Sequence, residues 1–190
     1  MGMKMLDKNN RKKHVFSLKI IKPPKFDFIK VDRFNDALGA FALDACEDYG
    51  IIERRDKHYL NWKFVDNPVR DYSIYTAKSG GALRGYVVLR ERDLTGFIVD
   101  ILTRSNDKSA MKFLIKNVIK YFEKLNVKYI VCLATDRNLK NTLMKSGFLP
   151  NILTGKADDF MIHINNDELD EKFFSHLDNW YLTTALSDRE

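Results

Sequence analysis

Gly96-Phe97-Ile98-Val99-Asp100-Ile101-Leu102 reads as an apolar strand, and Thr103-Arg104-Ser105-Asn106-Asp107-Lys108-Ser109 after it as a polar loop. The loop opens a long amphipathic helix, and a second apolar strand, Val127 to Ala134, follows that helix. A strand that runs straight into a helix presents unpaired backbone N–H groups and the positive end of the helix dipole at one spot. Such a spot suits an anion, a phosphate above all. The glycines that usually let a phosphate approach the backbone closely are missing from this loop.

Outward from this stretch the pattern continues in both directions. Before it, Tyr72 to Ala77 and Leu83 to Arg90 are strand patterns separated by the turn residues Ser79-Gly80-Gly81. Arg92-Asp93-Leu94-Thr95 makes the next turn, so three strands joined by short turns predict an antiparallel meander. Further upstream, Phe26 to Asp32 predicts a first strand. Asn35 or Asp36 caps a helix to about Asp48 that carries Leu38, Phe41, Ala42 and Ala45. A second helix starts at Asp56, carries Tyr59, Leu60, Trp62 and Phe64, and stops before Asn67-Pro68. Its aromatic side chains suit a packed core face, with a ligand groove as the alternative.

Downstream, the helix from about Lys108 to Leu125 places Met111, Leu114, Ile115, Val118, Ile119 and Phe122 at helical spacing. Asp136 or Asn138 begins a shorter helix that ends at Ser146-Gly147. Phe148 to Leu153 and Asp159 to Ile164 predict two last strands around Thr154-Gly155. An acidic segment, Asn165 to Glu171, then precedes an end containing Trp180 and Tyr181, which suits a lid, an interface or a cover for the last strand.

With 190 residues, the chain fits a single domain with its own core. The expected division is a basic tail over 1–24, a domain over 25–184 and a short tail over 185–190. No apolar run reaches the roughly 18 to 20 residues of a membrane-crossing helix. Val15-Phe16-Ser17-Leu18 is too short for a secretory signal, so a cytoplasmic protein is expected. Residues 1 to 30 hold nine Lys or Arg against two Asp, a balance of +7, which leaves 23 basic and 24 acidic residues, or −1, for the rest. The charge of +6 therefore belongs to an arm and not to a face of the fold, and nucleic acid is not the expected partner. Cys46 and Cys132 sit in apolar patterns and are expected as reduced thiols. His14, His58, His163 and His176 show no ligand spacing, so no metal is expected.

The order of elements is strand, two helices, three-stranded meander, helix, strand, helix, two strands, and it resembles that of the GNAT acyltransferase superfamily. Asp136-Arg137-Asn138-Leu139-Lys140-Asn141-Thr142-Leu143-Met144-Lys145-Ser146-Gly147-Phe148 is similar to the helix and Gly-Phe that close many members. Tyr59-Leu60-Asn61-Trp62-Lys63-Phe64, Gly85-Tyr86-Val87-Val88-Leu89-Arg90, Ile98-Val99-Asp100-Ile101-Leu102 and Trp180-Tyr181-Leu182-Thr183 resemble a narrower group. That group comprises GNAT-like halves of larger proteins linked with surface-polysaccharide genes. The resemblance spans roughly residues 26 to 184. It implies an α/β (α+β) fold with a mixed central sheet of about seven strands flanked by helices, and an acyl-CoA, acetyl-CoA for example, as co-substrate.

In the family, acyl-CoA lies where the fourth and fifth strands splay apart. Carried over, Ile101, Leu102 and Thr103 would face pantetheine. Arg104 to Ala110, with Asn106, Asp107, Lys108 and Ser109 between them, would form the phosphate loop, and Asn138 would complete the site. The family loop reads Q/R-x-x-G-x-G/A, but Asp107 and Ser109 occupy its two small-residue positions. Asp107 has a second explanation, as the cap of the helix. Members with a leaving-group Tyr place it where this chain has Leu143. Asp100 is the carboxylate best placed on the fourth strand for a general base, and a loop-bonded structural carboxylate is its alternative.

The implied activity is acyl transfer to a small amine such as an amino sugar, with attack on a thioester polarised by a strand N–H and the proton passing to Asp100 or water. The rival is a non-catalytic GNAT-like module that binds or dimerises. A homodimer and a tandem GNAT partner both stay open.

Overall fold

The computed structural model describes residues 24–150, 161–166 and 168–186. The elements run β1 (Asp27–Val31), α1 (Asp36–Cys46), β2 (Ile51–Ile52), α2 (Lys57–Phe64), β3 (Ser73–Ser79), β4 (Ala82–Arg92), β5 (Thr95–Thr103), α3 (Lys108–Lys124), β6 (Tyr129–Val131), α4 (Arg137–Lys145), α5 (Glu171–Ser175) and β7 (Trp180–Tyr181). Single 3₁₀ turns at Leu177–Asn179 and Thr184–Leu186 flank β7. The main sheet has the order β1-β3-β4-β5-β6, antiparallel except for the parallel pair β5–β6. β2 and β7 form a separate parallel pair.

Each longer helix begins where a side chain can accept a first-turn N–H. Asn35 accepts from Leu38, Asp56 from Tyr59, Asp107 from Ala110 and Asp136 from Leu139. Gly147, at φ 94, follows the end of α4 in the left-handed region that favours glycine. The β4–β5 turn puts Asp93 (φ 51) and Leu94 (φ 61) in that same region without a glycine.

Neighbouring residues on a strand face opposite sides of a sheet, which sorts the layers. Tyr86 meets Phe34 and the α1 side, while a Cβ on Gly85 would stand 3.1 Å from Leu114 of α3. The sheet is therefore sandwiched, with α3 on one face and α1 on the other. Met111, Leu114, Ile115, Val118 and Phe122 are buried under α3, as their spacing predicts. At Gly96 α3 lies close on the sheet: a Cβ there would lie 2.6 Å from the Phe122 ring.

Some expectations change. Among the aromatic residues of α2, Phe64 is buried but Trp62 is 67% exposed. An eight-residue helix covered on one side only cannot bury Trp62 together with Leu60 and Phe64. Asn61 is buried instead, its side chain accepting from the Phe34 N–H and donating to the Phe34 carbonyl. No strand forms at residues 148–150 or 161–164, and 151–160, the rest of the two last expected strands, lie outside the described residues. β2 and β7 bring the described strands to seven. Two-residue strands carry no periodicity of their own and exist only by pairing with each other. The fold also runs on through Ala185, which is buried.

Candidate functional site

β5 keeps β4 on one edge throughout but has β6 on the other only at its start. Thr95–Phe97 pair with Tyr129–Val131 of β6, and the ladder stops there. On the other edge, Val88 faces Asp100 while Leu89 faces Ile98, so Val99 is an extra residue on β5. A bulge of this kind bends its strand and increases the local twist. Beyond it, Ile101, Leu102 and Thr103 are buried, yet among the described residues no strand lies along their outer edge. The Tyr181 hydroxyl donates to the Ile101 carbonyl at 2.6 Å and the Tyr49 hydroxyl to the Thr103 carbonyl at 2.8 Å. Burial pushes both phenols up, so both remain protonated donors. The two rings lie 4.3 Å apart.

Asp100 sits at the same level, 1% exposed. Oδ1 accepts from Arg55 Nη2 at 3.0 Å and from Thr183 Oγ1 at 2.9 Å. Oδ2 accepts from Arg55 Nε at 3.0 Å and from the Tyr86 hydroxyl at 2.6 Å. Arg55 is equally buried, donates its third nitrogen to the Glu53 carbonyl at 3.1 Å and lies over the Tyr181 ring. Burial by itself raises the Asp100 pKa, but the guanidinium charge and the four hydrogen bonds hold it below the ordinary carboxylate value. As a general base Asp100 would need a lone pair directed at the substrate, and in this arrangement each of its four acceptor positions is filled. This is the geometry of a structural carboxylate, the alternative to a general base.

At the start of α3, internal carboxylates occupy the anion spot. Asp107 caps Ala110 N–H with Oδ1 at 3.0 Å and receives Arg84 Nε on Oδ2 at 2.7 Å. Asp48 accepts the Ser105 N–H at 3.0 Å and pairs with Arg104. Arg104 also holds the Asp44 carbonyl and carboxylate. Asn138 donates to the Ser105 carbonyl at 3.4 Å, which brings it to the loop. Asn106, Lys108 and Ser109 are exposed on its outside, and Ala110 is buried. The space left among Tyr49, Ser105, Asp107, Lys108 and Asn138 is a cavity of about 10 Å³, room for one water at most.

The slot beside β5 is filled by the end of the described chain. Thr183 makes a single antiparallel bridge to Ala134. Leu133 N–H donates to Thr184 Oγ1, Leu182 N–H to Thr135 Oγ1, and Thr135 Oγ1 to the Trp180 carbonyl. Residues 181–185 are all buried. Arg55, Tyr49, Asp48 and Thr183 were not legible as site residues, since each reaches its partner from a distant segment, and Tyr86 reaches Asp100 diagonally across the β4–β5 pair. Tyr181, singled out by its place after an acidic linker, proves to be a cover of β5.

Leu143, where a leaving-group acid would stand, is buried in the core. Cys46 and Cys132 are free thiols, and burial pushes Cys46 up. Among the described residues no group of three or more His, Cys, Asp or Glu is placed to hold a metal, and no helix is long and apolar enough to cross a membrane. A separate open groove of about 670 Å³ lies between the end of α1, β2 and Phe173–Phe174.

No protein-family model and no curated protein matches the chain. Among solved structures it is similar to a protein of unknown function from meticillin-resistant Staphylococcus aureus, described as a probable acetyltransferase. The two are 14% identical over 73% of this chain and 100% of that one, with a TM-score of 0.52. It is also similar to an IAA acetyltransferase from Bacillus cereus (17% identity, 65% and 76% covered, TM-score 0.48). A Bacillus subtilis acetyltransferase solved in complex with CoA gives 22% identity, 64% and 74% covered and a TM-score of 0.43. At these identities the likeness is one of fold: mixed α/β, a mostly antiparallel central sheet flanked by helices, the fold of the GNAT acetyltransferases.

Proposed function

We propose that the domain is an acyl-CoA-dependent N-acyltransferase that moves an acetyl or other acyl group to a small amine, with amino sugars the acceptor class to test first. One observation carries this reading: β5 leaves β6 after Phe97, and its buried carbonyls at Ile101 and Thr103 are met by side-chain hydroxyls and not by a ladder. Buried carbonyls require donors, and continuing the β5–β6 ladder would be the simplest supply. The splay is kept instead, with donors of the kind that pantetheine amides also provide.

In this reading Ile101, Leu102 and Thr103 hold pantetheine. Arg104, Asn106, Asp107, Lys108, Ser109 and Ala110 surround the phosphates, and Asn138 completes the corner. The amine nitrogen attacks the thioester carbonyl carbon, a C–N bond forms as the C–S bond breaks, and CoA leaves as a thiolate. A β5 backbone N–H stabilises the oxyanion. The amine proton passes to water, or to Asp100 where Thr183 no longer occupies it, and solvent reprotonates the thiolate, because Leu143 offers no acid. The work is placed in the cytoplasm, by one copy, a homodimer or a tandem pair.

The occupied corner favours a second reading, a non-catalytic GNAT-like module that binds or dimerises. Asp48 and Asp107 already hold the Ser105 and Ala110 N–H groups that a diphosphate would use. Calorimetry with CoA and acetyl-CoA at millimolar concentration separates the two. A ligand that binds only the native state raises stability, by about 2.7 kcal/mol at a hundredfold excess over Kd. Heat of binding together with a thermal shift supports the enzyme, and neither effect leaves the module.

A further inference from the structure

We infer that residues 180–186 are a displaceable strap that stands in the place of the acyl-pantetheine arm, so that strap docking and CoA binding exclude one another. The inference rests on the acyltransferase reading and adds its regulation.

Three observations carry it. First, apart from the two-residue ladder of β7 on β2, the strap is fastened to the sheet by side chains. Tyr181 bonds Ile101, Thr183 bonds Asp100, Thr184 bonds Leu133 and Thr135 bonds both Trp180 and Leu182, with one bridge between Thr183 and Ala134. Such bonds can be exchanged one at a time for those of a ligand. Second, the two closing tyrosines are linked. Tyr181 belongs to β7, which pairs with β2 directly after Tyr49, and the rings touch, so withdrawal of the strap loosens both donors on β5. Third, the strap reaches the chemistry. Departure of Thr183 leaves Asp100 Oδ1 still paired with Arg55 but with one acceptor position turned to the slot, where an N–H of the incoming amine can bind. Asp100 thus becomes available only when the cofactor has taken the strap's place.

Hydrogen exchange on the full chain, with and without millimolar CoA, tests this alongside the double variant Tyr181→Phe/Thr183→Val. The expected result is faster exchange over residues 178–186 and 49–53 when CoA is added. The variant should exchange faster there without ligand and bind CoA at least tenfold tighter. Binding of CoA with unchanged exchange over 178–186 overturns the strap and leaves the acyltransferase reading intact. If neither wild type nor a variant with an already loosened strap binds CoA, the acyltransferase reading falls and takes the strap's role with it. Should the double variant not fold, Tyr181→Phe alone, which removes one hydroxyl, supplies the same comparison.

Discussion

The two ends of β5 are built from the same kind of residue and are held in different ways. Both ends pair with β4 on one edge; on the other, Thr95–Phe97 lie in a ladder with β6 and press Gly96 against Phe122, whereas Asp100–Thr103 are held there by hydroxyls and a guanidinium from four other segments. The bulge at Val99 separates the two regimes. A backbone ladder fixes a strand whatever its side chains, but a side-chain network depends on a few named residues. The lower end therefore belongs to the scaffold, and the upper end is where a substitution or a ligand can act.

Arg55→Met is the largest test of that contrast. It leaves Asp100 buried without its ion partner and should cost about 3–5 kcal/mol in urea unfolding, with part of the loss restored by adding Asp100→Leu. A cost below about 1 kcal/mol would mean that the pair does not hold the upper end. The pH dependence follows in sign. The folded Asp100 pKa lies below the ordinary 3.8, so its stabilisation is complete above the unfolded value and is lost as pH falls through the folded one. In Arg55→Met burial, the largest influence on Asp100, is opposed only by the Tyr86 and Thr183 hydrogen bonds and raises the pKa, so the deficit should narrow as pH is lowered from about 7 to about 4.

At the lower end, Gly96→Ala forces the Phe122 ring aside and should cost about 1–3 kcal/mol without changing exchange over 178–186. Altered exchange there would show that the two ends are not independent. Tyr49→Phe should cost about 1 kcal/mol by leaving a buried carbonyl with one donor fewer. The smallest stability effect is expected from Asp107→Gly, about 0.5 kcal/mol, because glycine at a cap costs only a few tenths and the ion pair with the half-exposed Arg84 adds little. The same change removes a carboxylate from the phosphate corner, so calorimetry should show tighter CoA binding. Unchanged or weaker binding would mean that the corner is not a blocked phosphate site.

The same contrast explains what the sequence discloses. Helix starts and the meander were legible because their causes are local: Asn35, Asp56, Asp107 and Asp136 each bond a residue three positions on. The corner at Arg104–Ala110 was legible as a place, because a strand followed by a helix makes it. Its occupants were not. Arg55 meets Asp100 across 45 positions and Thr183 meets it across 83, and no period or spacing records such pairs. Trp62 was misread for the opposite reason: its helical spacing was correct, but only the neighbouring elements decide how much of a short helix is covered.

The strap is also the last described part of the chain to be synthesised. Every group it fastens to, Asp100, Ile101, Leu133 and Thr135, is translated earlier, and folding during synthesis proceeds from the N-terminal side. The sheet and its helices can thus assemble while the slot still stands open, so a nascent chain arrested just before Trp180 is a naturally unlatched form of this domain. Whether CoA binds that arrested chain and is lost once the remaining residues emerge would show closure as a step in biosynthesis.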